Sequence, residues 1–508
     1  MTNLKTSLLA SIATLTIFTL TTAAHADPTP ECNVGPGADS TECGVNATAT
    51  GTGSTATGNG TTAAGNQTTV NGNRAAALGN GGIAIGGNTD GGAFGALATS
   101  DAGIAIGADS EAREVGAVSV GSDGNGDGDG AVANGTYSVA VGADSAATGT
   151  NAIAVGGRAQ AAAPQTTVVG GQAAALGAGG VAIGGNTDGG AFGALATDAA
   201  GVALGSDSEA RGVGAIAIGG DADGDGDGAV ANGRDAIAIG DGALAQNTTG
   251  AGATDDNIAI GSQARATGVH ATAIGGDASA TGVGSTAIGW EADATANNTT
   301  ALGNSAEATG AQATAIGRQT NATGVDSTAL GQGSSATMTN STALGQGAQA
   351  IHMNSVALGA DTSTTAANQV NVGGRTIGGL ANGVAANDAV NVSQLTATNA
   401  IIASESAARV SGDAALTSRL DGLSFDIRDN RRESRAGTAA ALAAAGLPQA
   451  SGAGRTMIAG GIGTYGGRAA VAVGASHRLQ SGNATFKIGV TYDSGEKVGA
   501  NGGFGIEF

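Results

Sequence analysis

Of 508 residues, 94 are Gly and only eleven are aromatic, namely seven Phe, three Tyr and one Trp. Average Gly usage is roughly 7%, so a wide globular core filled by large side chains is excluded. A net charge of −21, from 41 acids against 20 bases, repels a phosphate backbone and argues against a nucleic-acid partner. Four His and two Cys, widely scattered, make no metal or nucleophile constellation, so no cofactor and no enzyme is expected.

The chain opens on Lys5, an apolar run from Leu8 to Leu20, and Ala24-His25-Ala26, a small-x-small arrangement that a signal peptidase accepts. Residues 1–26 are expected to be an export leader, with mature protein starting near Asp27. The run falls short of the ~20 apolar residues of a spanning helix, so no helical anchor is expected. Cys32 and Cys43 follow the cleavage site. In an oxidising compartment they can bridge within a chain or between chains, and one local bridge is the simpler expectation.

A repeat then governs the sequence. Gly preceded by Ile or Leu recurs every 14 residues at Gly261, Gly275, Gly289, Gly303, Gly317, Gly331, Gly345 and Gly359. Upstream, from Gly86 to Gly240, the intervals are 14 or 21. Collagen is excluded because Gly does not occupy every third position. A seven-residue comb continues backwards through Gly79, Gly72, Gly65, Gly58 and Gly51, so 27–73 reads as degenerate repeats and 74–366 as the main array. The segment from Arg74 to Gly142 recurs, with substitutions, 98 residues later at Gln172 to Gly240, so the array grew by duplication.

Inside each unit Ile83 and Ile85, or Ile216 and Ile218, share one face with a small Ala between them on the other, which is strand periodicity. Two short strands and two Gly turns per 14 residues describe one coil of a parallel β-roll, a solenoid. The expectation is that Ile and Leu fill a narrow axial core, Ala lines the outer faces, and Gly supplies positive φ at the corners. Eighteen such glycines, at ~4.7 Å per coil, give a rod roughly 85 Å long. Flat Ala-lined faces predict side-by-side association of several rolls.

Two of the 21-residue intervals are acidic, with Asp123, Asp127 and Asp129 in one and Asp221, Asp223, Asp225 and Asp227 in the other. Asp alternating with small residues is like the start of a calcium loop, but position 12 holds Asn134 or Asn232 where an EF-hand needs Glu. Calcium binding and plain solvated turns both stay open. Trp290 follows Gly289 at a predicted turn and is a candidate receptor contact.

After Gly359 the repeat stops, and residues 367–395 lead to Asp388-Ala389-Val390-Asn391-Val392-Ser393-Gln394-Leu395. Over 396–450 helix formers take over. One heptad register places Val392, Asn399, Ser406, Asp413, Leu420 and Ile427 at a, with Leu395, Ile402, Arg409, Leu416, Leu423 and Asn430 at d, predicting a short coiled coil to about Ala445, stopped by Gly446 and Pro448. Residues 451–508 alternate with period 2 in four strands long enough to span a membrane. Phe486, Ile488, Val490 and Tyr492 share one face while Lys487 and Gly489 share the other, and Phe504, Ile506 and Phe508 oppose Gly505 and Glu507. Bacterial outer-membrane barrels need at least eight strands, and an open edge in lipid is forbidden. Three chains sharing one barrel would supply twelve.

The order of these parts, with head repeats of the Ser/Thr-x-Ala-Ile/Leu-Gly kind, the octapeptide ending at Leu395, a helical stalk and a terminal Phe508, resembles the YadA-like trimeric autotransporter adhesins. The resemblance implies a mainly β protein. It has a left-handed parallel β-roll head, a neck involving Asp388, Asn391, Gln394 and Leu395, and a short α coiled-coil stalk. A four-stranded contribution to a trimeric twelve-stranded barrel in the outer membrane completes it, with head and stalk on the bacterial surface. It further implies that Gly474 faces the barrel lumen, with Lys487 and Glu507 on the same side, and that Phe508 is the signal read by barrel-assembly machinery. Partners would then be two sibling chains, outer-membrane lipid, that machinery, and a receptor the sequence does not identify.

The leading functional expectation is adhesion to host matrix, abiotic surfaces or sibling cells, with weak contacts multiplied by repetition. An ice-binding or surface-coating solenoid is the alternative. It would need a flat, regular Thr ladder, whereas the sequence interleaves Asp, Gln, Arg and loops. No nucleophile motif or paired acid suggests catalysis.

Overall fold

A computed structural model describes residues 32–89, 91–126, 130–187, 189–222, 228–246 and 256–508. The expected leader lies outside the described residues. The chain divides into two units, one up to Thr376 and one over Ile377–Phe508.

The first unit is a β-solenoid. Its longer strands stack in register from Thr41–Cys43 to Val370–Asn371 in a 23-strand sheet whose first member, Cys32–Val34, runs antiparallel. A second parallel ladder of two-residue strands runs from Thr48–Ala49 to Gln349–Ala350. Stacking therefore begins well before residue 74. Thr55–Thr57 and Thr69–Asn71 belong to the same ladder as Ile83–Ile85. Cys32 and Cys43 are partners across the antiparallel pair and are joined by a disulfide within the chain. The Glu42 carboxylate is buried and accepts a hydrogen bond from the Ala49 amide.

The inside and outside of each coil are the reverse of the sequence expectation. Ala273, Ala278, Ala280 and Ser285 point inward in one coil, and Ala287, Ala292, Ala294 and Thr299 in the next; all are buried. Ile274, Ile288 and Leu302 point out. The reason is width. Two strands joined by tight corners leave room for a methyl or hydroxymethyl group between them, so the period-2 pattern has Ala in the core and the branched residues on the face. Among the described residues, Val70 and Val168 are the largest fully buried apolar side chains.

At the corners the expected positive φ of Gly is present, and polar residues share the turns with it. The glycines after Ile or Leu adopt φ near +130°, as at Gly275 (+133°) and Gly289 (+135°). A Cβ at Gly275 would lie 2.3 Å from the carbonyl oxygen of Gly289 in the next coil, so close stacking as well as φ demands Gly there. The left-handed corner itself is taken mostly by polar residues, such as Gln263, His270 and Asp277 at φ of 57°, 55° and 56°. Side chains close these turns. Ser54 and Ser334 donate to the carbonyls of Gly51 and Gly331 at 2.7 and 2.9 Å, and Asn80 Oδ1 accepts from the Asn66 amide at 3.0 Å.

The second unit holds the helix Val392–Ala445 and four antiparallel strands, Thr456–Tyr465, Arg468–Arg478, Ala484–Asp493 and Val498–Ile506, paired in sequence order. Gly446 caps the helix. The helix buries only Ala436, Ala439 and Ala443. These sit at its C-terminal end, where Ala439, Ala443 and Leu447 form one small core with Ala470 and Ala472 of the sheet.

Candidate functional site

Among the described residues the distinctive feature of the head is a stripe. Because Ala occupies the interior, the third position of every longer strand from Ile85 to Leu358 presents Ile, Val or Leu outward, stacked in register without interruption. Ile85 is 39% exposed and Leu302 41%. Beside it, the first position is Ile or Val in nearly every coil from Ile83 to Ile258, then Thr at Thr272, Thr286, Thr300, Thr314, Thr328 and Thr342. A regular Thr row spanning six coils therefore exists, contrary to the sequence expectation; it lies next to an aliphatic row rather than a second hydroxyl row. On the shorter-strand face, burial pushes the Asp293 carboxyl up, against a smaller lowering by its hydrogen bond with Ser279.

Of the five 21-residue intervals, four place their extra residues between a longer strand and the following shorter one, and the fifth between Leu244–Ala245 and Ile258–Ile260. Two of them carry half-exposed aromatics, Phe94 and Phe192, which sequence reasoning passed over although both lie in the duplicated segment. Asp123 folds its own loop, its Oδ1 accepting from the Asn125 and Gly126 amides at 3.0 and 2.6 Å. The Asp221 amide donates to the Ser206 carbonyl at 3.2 Å. Asp127, Asp129, Asp223, Asp225 and Asp227 lie outside the described residues. Among the described residues no three His, Cys, Asp or Glu side chains gather as a metal site. Trp290 is 54% exposed and lies against Gly276 of the preceding coil.

Where the solenoid ends, Arg375 closes it. Its guanidinium donates to the Ala360 carbonyl at 2.6 Å, to Thr362 Oγ1 at 2.8 Å and to the Val372 carbonyl at 3.1 Å. Sequence reasoning missed this residue; the signal was a lone Arg directly after the repeat lapses. In the second unit, Asn391 is the helix N-cap and forms a capping box with Gln394. Gln394 also exchanges two hydrogen bonds with the backbone of Gly383, at 2.9 and 3.0 Å. Asp388 accepts from the Ala385 and Val384 amides at 2.8 and 2.9 Å, which hold its carboxyl below the usual range. Leu395, Val384 and Val392 are exposed.

The four strands have two unlike faces. Ile458, Ile462, Val471, Val473, Ile488 and Val490 stand on one face and are exposed. The other face is small or polar and receives the helix end. A Cβ at Gly461 or Gly463 would strike the helix backbone at 2.4 or 2.3 Å. Gly474 lies in mid-strand opposite Gly489, and both seat Leu447. Lys487, on this same side, donates to the carbonyls of Ala444 and Leu447 at 3.0 and 3.3 Å. Glu507 meets Arg478 at 2.7 Å, and Phe508 is fully exposed. The first and last strands each pair on one edge only. No helix among the described residues is long and apolar enough to cross a membrane.

A stack of short coils, a solvated helix and a two-faced strand set define a repetitive surface protein with a β-type membrane anchor. Comparison with known families agrees. The model of the YadA-like membrane anchor domain matches residues 448–508, and that of the YadA head domain repeat matches nine segments between 44 and 362. The chain belongs to the YadA-like trimeric autotransporter adhesins. Over 79 residues it is 38% identical to the autotransporter adhesin BtaF of Brucella suis biovar 1 (strain 1330), which covers 16% of this chain and 28% of that relative. The chain thus spans little more than a quarter of that curated relative's length. The crystal structure of the collagen-binding domain of Yersinia adhesin YadA shares 31% identity, covering 36% of this chain and 96% of that one, with a TM-score of 0.28.

Proposed function

We propose that three copies of the chain assemble into an adhesin that passes its own head and stalk through a shared outer-membrane barrel and then attaches the cell to matrix, abiotic surfaces or sibling cells. The observation carrying this reading is the four-stranded sheet with one apolar exposed face and two unpaired edges. Such a sheet is unsustainable in lipid alone, and three copies supply the twelve strands of an even-numbered barrel. The apolar stripe of the head supports the same reading, since a patch of that extent on a soluble surface marks an association site. Gly474, Lys487 and Glu507 then belong to the lumen, and Phe508 lies at the end offered to barrel-assembly machinery.

Surface display tests this. Cells producing the full chain should expose the head to externally added protease and gain adherence to at least one of immobilised matrix proteins, plastic or one another; cells producing a chain that lacks 451–508 should do neither. Display without the anchor, or adherence to none of these, contradicts the proposal. The Thr row from Thr272 to Thr342 favours a second reading, an ice-binding or surface-coating face. Thermal hysteresis of the purified protein would support it, and its absence would exclude the ice-binding form.

A further inference from the structure

The carbonyls that end the helix point at a charged residue of the strand wall. A helix C-terminus carries partial negative charge on carbonyls that have no intrahelical donor. Here the Lys487 ammonium bonds at 3.0 Å to the Ala444 carbonyl, which the Gly446 and Leu447 amides also reach, and at 3.3 Å to the Leu447 carbonyl just past the helix cap. The wall around it is shaped for the same segment. Gly474 and Gly489 leave the space that the Leu447 side chain fills, and a Cβ on either would stand 2.8 or 3.1 Å from it. Beyond the helix, the Ala450 amide donates to Ser476 Oγ at 2.8 Å, fixing the chain before the first strand begins. Glycine seats, an ammonium and a hydroxyl therefore make one binding site on the wall, and its ligand is the carbonyl-bearing end of the helix of the same chain.

We infer that Lys487 is the docking residue that captures the helix end once the preceding chain has passed outward, and so closes the lumen. This rests on the shared-barrel reading above. Residues 437–450 immediately precede the strands, so they are the last part of the passenger to occupy the passage. An extended chain in transit has no aligned terminal carbonyls to offer, so the site fills only when the last turns of the helix form against it. An apolar residue at 487 removes the ammonium that ties both carbonyls to the wall and frees the helix end to leave it.

The test uses the full-length protein in planar lipid bilayers, as wild type, Lys487→Met, Lys487→Gln and Lys487→Arg, with unheated gels monitoring the trimer band. Wild type and Lys487→Arg should stay closed, while Lys487→Met should show open time at least tenfold longer with its trimer band intact. A closed Lys487→Met trimer overturns the docking role. Should Lys487→Met give no trimer band, Lys487→Gln decides by the same criterion. Loss of the band in both, but not in Lys487→Arg, assigns the residue to assembly and overturns the inference. Absence of the band in wild type itself rejects the shared barrel rather than the dock.

Discussion

Ala301 and Leu302 are neighbours in one three-residue strand, yet the smaller is fully buried and the larger 41% exposed. The spacing of Gly and the alternation of apolar residues were enough to place this strand within its coil. They could not say which side faced inward, because both residues are apolar and a one-residue shift of a period-2 pattern exchanges the faces. What decides is the width of the coil, a property of the closed loop rather than of any local window. Ala301→Leu should therefore lower stability by about 1–3 kcal/mol through overpacking, read by thermal unfolding of the full chain. A variant that melts like wild type would mean that the interior has room for large side chains and that the inverted core is wrong. Gly289 illustrates a constraint legible in the sequence: the 14-residue spacing marks it as a corner glycine of positive φ, which is +135°, and a Cβ there would sit 2.4 Å from the Gly303 carbonyl oxygen.

Among the elements, the helix and the four strands were legible because their patterns are local. Gly446 and Pro448 mark the helix end, and ten-residue alternation marks the strands. The contact between them was not legible. Ala439 and Ala443 read as helix formers, and only the structure pairs them with Gly461 and Gly463. The octapeptide before the stalk acts as a helix start, with Asn391 and Gln394 as a capping box and Asp388 holding the preceding turn. Asp388 has a lowered folded pKa, so the stability it contributes is complete above the unfolded carboxylate range, around pKa ~3.9. That contribution is lost as pH falls through the still lower folded value. Solid-state NMR of labelled protein should find the Ala385 and Val384 amides unchanged from neutral to mildly acidic pH, moving only below the ordinary carboxylate range. A transition centred within or above that range would contradict the hydrogen-bond assignment.

For the whole molecule, the same deficit appears in parts that differ in kind. The head leaves an aliphatic row from Ile85 to Leu358 in water, the helix leaves Leu395, Ile402, Leu416, Leu420 and Leu423 more than half exposed, and the strands end in two open edges. Exposed apolar surface on this scale is costly at roughly 25 cal/mol per Å², and unpaired strand edges in lipid cost several kcal/mol per group. Each deficit is met if identical chains lie alongside, which is why a count of chains tests the proposal more directly than any single substitution. The decisive measurement is the protein mass of the detergent-solubilised full-length particle by light scattering corrected for bound detergent. The account predicts three chains per particle, and a folded particle holding a single chain would contradict it.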